Sequence, residues 1–478
     1  MKLQSPVLPP VLVATAVLTG CAIFDPPPQR ERAELPDLSA VFAESSDSLP
    51  APSVDWWRDF QSPELDALVS EALSANYDLR AAAERLAQAA AQAELAGVAR
   101  RPQINAGLLA QRQRNVLIGI PIPGGDGPIA PTATTYGLSL DLTWELDLWG
   151  RLAAEQRAAE LTFGAAEVDL AAAQLSIAGQ VVKAWLAATD ARLQLELAES
   201  GVEARERSLD LVRDRFAAGL APRLEVDQSR AEVAGAKANV DLRLRALEAA
   251  VRQVELLLGR YPAGALEPGA DLPAVPASIP GGLPAELLAR RPDLVAAELR
   301  LRAADERFTS ARAERFPAIA LTASTGTRSE ELDDLFDGDF RVWSLAGNLV
   351  QPIFQGGRIK ANIALSDAVA SEAAAGFANA VLLAMAEVEV ALSTDDDLGR
   401  RVGHLEEAAV AARSAEDQID ERYRAGLENL LQVLIARRSR LDAESAWLDA
   451  RRAWLDNRVD LYLALGGGFG AVNTEEND

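Results

Sequence analysis

Two stretches of this chain are copies of one another, and that duplication limits the fold more than any other feature. The segment RFAAGLAPRLEVDQSRAE beginning at Arg215 returns as RYRAGLENLLQVLIARRS beginning at Arg422, 207 positions on (422 − 215). The same offset carries Gly150-Arg151 onto Gly357-Arg358 and Leu258-Gly259 onto Leu465-Gly466. Upstream, ARRPQI around Pro102 matches ERFPAI around Pro317, but there the offset is 215 (317 − 102). The first copy therefore holds 8 extra residues (215 − 207) between its proline and its Gly-Arg pair. A length difference confined to one place marks a surface loop, here Val116 to Thr135, rich in Gly, Pro and Thr. The expected organisation is two similar halves, 56–259 and 285–466, joined by a Pro/Gly-rich linker at 260–284 and followed by a tail at 467–478.

Each half reads as helix, two strands, long helix, helix. From Tyr136 to Leu148 every second residue is large and apolar (Tyr136, Leu138, Leu140, Leu142, Trp144, Leu146, Leu148). Polar or small residues fill the gaps, among them Ser139, Asp141, Thr143, Glu145 and Asp147. Such period-2 alternation puts the apolar groups on one face of a strand. The predicted strands are about 103–114, 136–148, 318–328 and 341–352, with Leu109 breaking the alternation of the first. A half-buried sheet on a soluble domain produces the same pattern. Hairpin length favours the membrane, since a tilted span needs about 9–11 residues. So do the aromatics near the strand ends, Tyr136, Trp144, Trp149, Phe340 and Trp343. Four strands cannot close a barrel, and an open edge in lipid leaves backbone groups unpaired. Inserted strands therefore demand oligomerisation: two copies give eight strands, three give twelve and a wider lumen.

The remainder is helical. Residues 151–214 and 358–421 contain no proline and are dominated by Ala, Leu, Glu and Arg, all good helix formers. About 63 residues at 1.5 Å each make a rod of roughly 95 Å. Leu161, Val168, Leu175 and Val182 recur every seventh position, and Val233, Val240, Leu244, Leu247, Val251, Val254 and Leu258 alternate by threes and fours. That spacing predicts side-by-side, coiled-coil packing. Short AGL turns at Gly219-Leu220 and Gly426-Leu427 join each rod to a returning helix, about 222–258 and 428–465, at the end away from the strands.

The first twenty residues read as a signal peptide: Lys2, an apolar stretch from Val7 to Leu18, then Leu18-Thr19-Gly20-Cys21. An ordinary signal peptide with an accidental cysteine is the alternative to a lipoprotein cleavage site. Cys21 is the chain's only cysteine, so it has no disulfide partner within the chain, and an acyl acceptor explains it better than redox chemistry. Residues 21–55 would then be lipid anchor and linker. Loss of Lys2 takes the formal charge from −24 to −25, which argues against nucleic acid as a partner. After the signal no uninterrupted apolar run approaches 18 residues, so a spanning helix is not expected. One histidine, His404, and one cysteine assemble neither a His/Cys metal site nor a thiol nucleophile, and no carboxylate spacing suggests an acid–base pair.

The Cys21 lipobox, WWRDFQSPELDALVSEALSANYDL from Trp56, the repeated RxxAGL tips and LTWELDLWGR together resemble TolC-type outer-membrane efflux factors. The branch is that of the NodT/OprM-like lipoproteins of RND (resistance–nodulation–division) pumps. The likeness covers nearly the whole chain from Cys21 to about Gly468. It implies an α+β membrane protein: a homotrimer with a shared 12-stranded outer-membrane barrel above a periplasmic α-helical barrel. No cofactor is implied beyond covalent lipid on Cys21. The implied partners are outer-membrane lipid, a periplasmic membrane-fusion adaptor and, through it, an inner-membrane RND transporter. On that basis the adaptor-docking rim is assigned to Arg215, Gly219, Leu220, Arg422, Gly426 and Leu427, and the wet barrel lumen to Asp141, Glu145 and Asp147. Several relatives close their tunnel with aspartates after the second AGL turn. Here that stretch carries Leu431, Gln432 and Ile435, and the acids sit in the first copy as Glu225 and Asp227. An apolar plug and an acidic ring are both open at this point. Two rival functions are a type I secretion duct of the same fold and, in a different class, a coiled-coil scaffold lipoprotein that conducts nothing.

Overall fold

The structure is a computed structural model that describes residues 53–116, 130–276, 288 and 290–468. The signal peptide, Cys21, most of the N-terminal linker, the middle of the 116–135 loop, part of the inter-repeat linker and most of the tail lie outside these. After a 3-10 turn at Trp56–Phe60 come α1 (Pro63–Ala75), α2 (Tyr77–Val98), β1 (Gln103–Arg114), β2 (Thr132–Leu146), α3 (Arg151–Ala217) and α4 (Arg223–Leu257). The second half runs α5 (Pro292–Ala313), β3 (Ala318–Ser329), β4 (Arg341–Val350), α6 (Arg358–Arg424) and α7 (Leu430–Ala464). Helices α3 and α6 are each 67 residues long, and α4 and α7 each 35, so the duplication extends to element lengths. Strand β2 starts at Thr132, four positions before the expected Tyr136. Threonine is β-branched and suits a strand, but its lack of hydrophobic contrast hides the alternation.

The chain divides into two compact units, and α3 and α6 contribute to both. One unit, built from residues 87–164 and 298–376, holds an antiparallel sheet in the order β1-β2-β3-β4. Its small helical core gathers Phe308, Ala311, Ile359 and Ile363.

The other unit holds the main core. Ser62 accepts from the Leu65 amide and Pro63 opens α1, which buries Leu65, Leu68, Val69 and Ala72 on one helical face. The tandem tryptophan segment packs inside: Trp56 is buried and stacks on Tyr462 at 4.9 Å. Asn76 turns α1 into α2 by accepting from the Asp78 amide and donating to the Leu257 carbonyl, which ties this corner to the end of α4. Glu255, also buried, accepts from the amides of Gly264, Ala265 and Leu266, and so fastens the start of the inter-repeat linker. Burial would push the Glu255 carboxyl up, but those three amides hold it below its ordinary range.

Windows of 18 residues in α3 and α6 reach mean hydropathies of 1.2 and 1.6, so composition does not bar these helices from a bilayer, contrary to the expectation from apolar runs. Alanine raises the average without forming an uninterrupted run, and Val381, Ala384 and Val388 are fully buried against protein.

A polar seam between α3 and α7 has a consequence for stability. Arg452 lies between a buried and a partly buried carboxylate, 3.5 Å from an oxygen of Asp190 and 3.5 Å from one of Asp456. The other oxygen of each lacks a hydrogen-bond partner. Burial pushes both carboxyls up to about 6, against the pull of Arg452 and, at Asp190, with the push of Asp449. A folded-state value above the ordinary 3.8 means that the folded state keeps protons the unfolded chain has released. The destabilising contribution is therefore absent below about pH 4, grows through pH 4–6 and is complete above about pH 7. Asp456→Asn is expected to stabilise the protein at pH 7.5 by roughly 1–3 kcal/mol, with the gain vanishing near pH 4. Thermal melting at the two pH values checks this, and an equal shift at both would show that ionisation is not the cause.

Candidate functional site

The register sorts the sheet into two unlike faces. Asp141 pairs with Asn105 on one side and Ser324 on the other, while Leu140 pairs with Ala106 and Thr325. Because paired residues share a face, one face collects Asn105, Gln111, Ser139, Asp141, Thr143, Thr322, Ser324 and Asn348. The opposite face collects Ile104, Leu108, Leu138, Leu140, Leu142, Trp144, Leu321, Trp343, Leu345 and Leu349. Most of the large apolar groups on it are exposed in the single chain. Leu109, out of step in the sequence, falls on the polar face opposite Gly137, whose missing side chain makes room for it. Among the described residues the outer edges of β1 and β4 have no strand beside them.

The three acids expected along the lumen separate. Asp141 stands on the polar face, where it accepts from Ser139 Oγ at 2.7 Å and Ser324 Oγ at 2.6 Å. Glu145 is on the same face but pairs with Arg151 at 2.7 Å. Asp147 is not a strand residue, which corrects the sequence expectation. The Leu148 amide bonds back to the Leu146 carbonyl and ends the alternation there. The Asp147 carboxylate instead accepts from the amides of Leu152 and Ala153, two of the unpaired donors at the start of α3. Both repeats pin the turn before their first strand alike. Trp144 Nε1 donates to the Arg100 carbonyl, and Gln351, the residue 207 positions on, donates to the Arg315 carbonyl.

The two AGL turns share one cap geometry. Gly219 and Gly426 have φ of +74° and +76°, a region that favours glycine. The Leu220 amide reaches the Arg215 carbonyl and the Gly219 amide that of Phe216; Leu427 and Gly426 reach Arg422 and Tyr423 in the same way. These are Schellman caps. A Schellman cap commonly packs its last residue on an apolar one at the third position from the helix end, but here that position is arginine. Leu220 and Leu427 accordingly stand 72% and 68% exposed. The arginines differ in their partners. Arg422 spans its own turn to Glu428 at 3.0 Å, whereas Arg215 lies 4.9 Å above the buried Tyr423 ring of the second repeat and donates to its carbonyl. Tyr423 was not singled out in the sequence. It occupies the place of Phe216 in the first copy, and nothing local distinguishes it.

Beyond the turns, Leu430 and Val433 are buried with Leu209, Val212, Val226 and Val233, which leaves Leu431, Gln432 and Ile435 on the exposed side of α7. Leu431 and Ile435 share a face one turn apart. The first copy places Leu224 at the position equivalent to Leu431, also exposed, a residue that the 207 offset would have found. Its acids are partly engaged: Asp227 is paired to Arg223 at 3.1 Å with Arg230 at 3.9 Å. Glu225 is partly buried and, after burial itself, its charge helps push the Tyr423 hydroxyl up.

The protein family described as outer membrane efflux protein matches residues 68–260 and 283–467. This chain belongs to the outer membrane efflux protein family. Outer membrane protein OprJ of Pseudomonas aeruginosa is 34% identical over 457 residues, 95% of this chain and 94% of that protein. A relative in Salmonella typhimurium described as probable outer membrane lipoprotein SilC is 29% identical over 460 residues, 95% and 97% of the two chains. The solved outer-membrane channel OprN superposes with a TM-score of 0.84 at 31% identity, covering 92% of this chain and 99% of that one. The efflux protein is thus an α+β channel-tunnel of the outer membrane, its strands belonging to a membrane barrel and its long helices to a tunnel. The resemblance drawn from Cys21, the tryptophan segment and the RxxAGL tips identified its family correctly.

Proposed function

We propose that three copies of this efflux protein form the passive outer-membrane exit duct of a tripartite RND pump, with no catalytic chemistry of its own. The observation that carries this reading is the four-stranded sheet with one apolar face, one polar face and two open edges. Three such sheets make a 12-stranded barrel with a wet lumen, and closure removes the edges that lipid would not tolerate. Asp141 and Glu145 line that lumen. Exposed Leu242 and Leu244 on α4 and Leu382, Leu383 and Val390 on α6 supply apolar surface for the helical part of the same assembly. The pumped compounds are small toxic molecules, driven by the inner-membrane transporter. Acyl chains on Cys21 add a lipid anchor, and two or three of them hold a protein stably where one does not.

The six AGL turns of the trimer form the rim on which a periplasmic adaptor docks, with Arg215, Gly219, Leu220, Arg422, Gly426 and Leu427 contributing. Leu220 and Leu427, exposed at a cap position that usually packs, support this assignment. No atom lies within 4 Å of a Cβ added at Gly426, so the backbone strain of Gly426→Tyr is that of its own turn, about 1–2 kcal/mol. Trimer yield is expected to hold while drug resistance is lost. Full resistance in that variant removes the docking role.

At the tip, Leu431 and Ile435, flanked by Gln432, close the resting aperture as an apolar plug, with Leu224 of the first copy. The arginine pairing of Asp227 supports the plug over an acidic ring of Glu225 and Asp227. Planar-bilayer conductance of the isolated trimer tests both duct and plug. The native channel is expected to be insensitive to millimolar divalent cations and Leu431→Ser to conduct more. Strong divalent block unchanged by the serine returns the gate to the acids, and absence of any conductance from open variants removes the duct.

A further inference from the structure

The apolar face of the sheet ends in arginines. At the end away from the helices, Arg112 and Arg114 on β1 and Arg341 on β4 all carry the register of that face: Arg112 pairs with Thr134, Arg114 with Thr132 and Arg341 with Thr327. All three are exposed, and none has a side-chain ion pair or hydrogen bond among the described residues. Their neighbour Arg328 belongs to the polar face, opposite Gly137.

In one chain Arg341 is far from the other two, since β1 and β4 are opposite edges. A cyclic assembly must join those edges, β1 of one copy to β4 of the next, and the strand directions make the joint antiparallel. Height also matches. Arg341 is level with Thr327, Leu138 and Leu108 along the ladder, while β1 runs on to Arg114. At the other end Gln103 is level with Thr143, Thr322 and Ala346, while β4 runs on to Val350. The sheet is sheared in the same sense at both ends. With its lower ends at one membrane level, the shear raises Arg341 to the height of Arg112.

We propose that at each seam Arg112 and Arg114 of one copy and Arg341 of the next form a binding surface for the phosphate groups of the glycolipid that makes up the outer leaflet. The proposal rests on the barrel reading above. Charge complementarity and continuity with the lipid-covered face carry it: guanidinium groups bind phosphate through paired, charge-assisted hydrogen bonds. A doubly phosphorylated headgroup standing over acyl chains meets an arginine cluster above an apolar band. The surface is incomplete in a single chain. The competing partner is the acidic β3–β4 connection, with Glu330, Glu331, Asp333, Asp337 and Asp339.

The test uses the full-length trimer in detergent and lipopolysaccharide, intact or enzymatically dephosphorylated, with phosphatidylglycerol as the other phosphate source. The combined variant Arg112→Gln/Arg114→Gln/Arg341→Gln is expected to bind intact lipopolysaccharide at least about tenfold more weakly. The triple lysine variant retains part of the affinity, and Arg328→Gln binds as the native protein does. Equal binding by the glutamine triple, equal loss in Arg328→Gln, or indifference to dephosphorylation overturns the proposal. Equal affinity for phosphatidylglycerol overturns the outer-leaflet source. A glutamine triple that falls apart as a trimer, with dephosphorylation immaterial, assigns the arginines to the acidic connection. Conductance recorded on the same samples separates a failed lipid surface from a failed duct.

Discussion

Leu142→Arg is expected to abolish the folded trimer, while Asp141→Arg, one residue away, is expected to assemble. Leu142 lies within the apolar run of β2, paired with Ile104 and Ala323. A cation near the bilayer midplane on a lipid-facing strand position costs about 2–4 kcal/mol, and symmetry repeats that cost in every copy. Asp141 faces the polar side, and Ser139 and Ser324 remain beside a replacement there as hydrogen-bonding groups facing water. The expected results are a collapse of heat-resistant trimer for Leu142→Arg and, for Asp141→Arg, normal trimer with ion selectivity moved away from cations. Equal tolerance at the two positions would contradict the barrel register.

Why one such residue was legible and another not is a matter of range. Alternation from Tyr136 to Leu146 states the faces of β2 without knowledge of its neighbours, because a strand's side chains alternate by backbone geometry alone. The caps at Gly219 and Gly426 were legible for the same local reason. Asp147 continued the alternation in writing but not in space, since the orphan amides of α3 drew it into a cap. Arg215 was assigned to the docking rim, and its contact with Tyr423, 208 residues away, was not foreseen. Nothing within a helical turn of Arg215 announces that partner. The duplication itself could have recovered Leu224 as the twin of Leu431, but it also misleads where the copies diverge, as they do among the partners of Arg437, although its own twin is Arg230.

Removing the Arg437 side chain is expected to loosen the tip-proximal helices more than any other single truncation there. Arg437 is only 2% exposed, yet it holds Glu416 at 2.9 Å, Asp420 at 3.2 Å, Ser208 Oγ at 3.0 Å and the Ala204 carbonyl at 3.3 Å. It thus joins α7 to both α6 and α3. Arg440 also grips Glu416 and pairs with Glu444 at 2.7 Å, which Arg413 holds from α6. Burial would push Glu416 up, but the two arginines hold it below the ordinary range, so its contribution persists until pH falls past that range. Arg437→Met leaves two carboxylates short of a counter-charge, one of them buried, and a broken buried pair costs about 3–5 kcal/mol. Melting and closed-state conductance should both change, and because the pairs are buried, added salt should reproduce little of the effect. The first repeat suggests the rescue. At the positions of Glu416 and Arg440 it carries Leu209 and Val233, both buried in the apolar cluster near the tips. Replacing a buried ionic set by apolar groups of similar volume is often neutral, and of the acids that remain here Glu444 keeps Arg413 while Asp420 is only partly buried. Arg437→Met/Glu416→Leu/Arg440→Val should therefore regain much of the lost melting temperature. If its conductance stays high although stability returns, Arg437 holds the tip closed through Ser208 and Ala204 on α3. If stability fails to return, the ionic set is not replaceable by packing, and the two copies are not the interchangeable solutions that their common ancestry suggests.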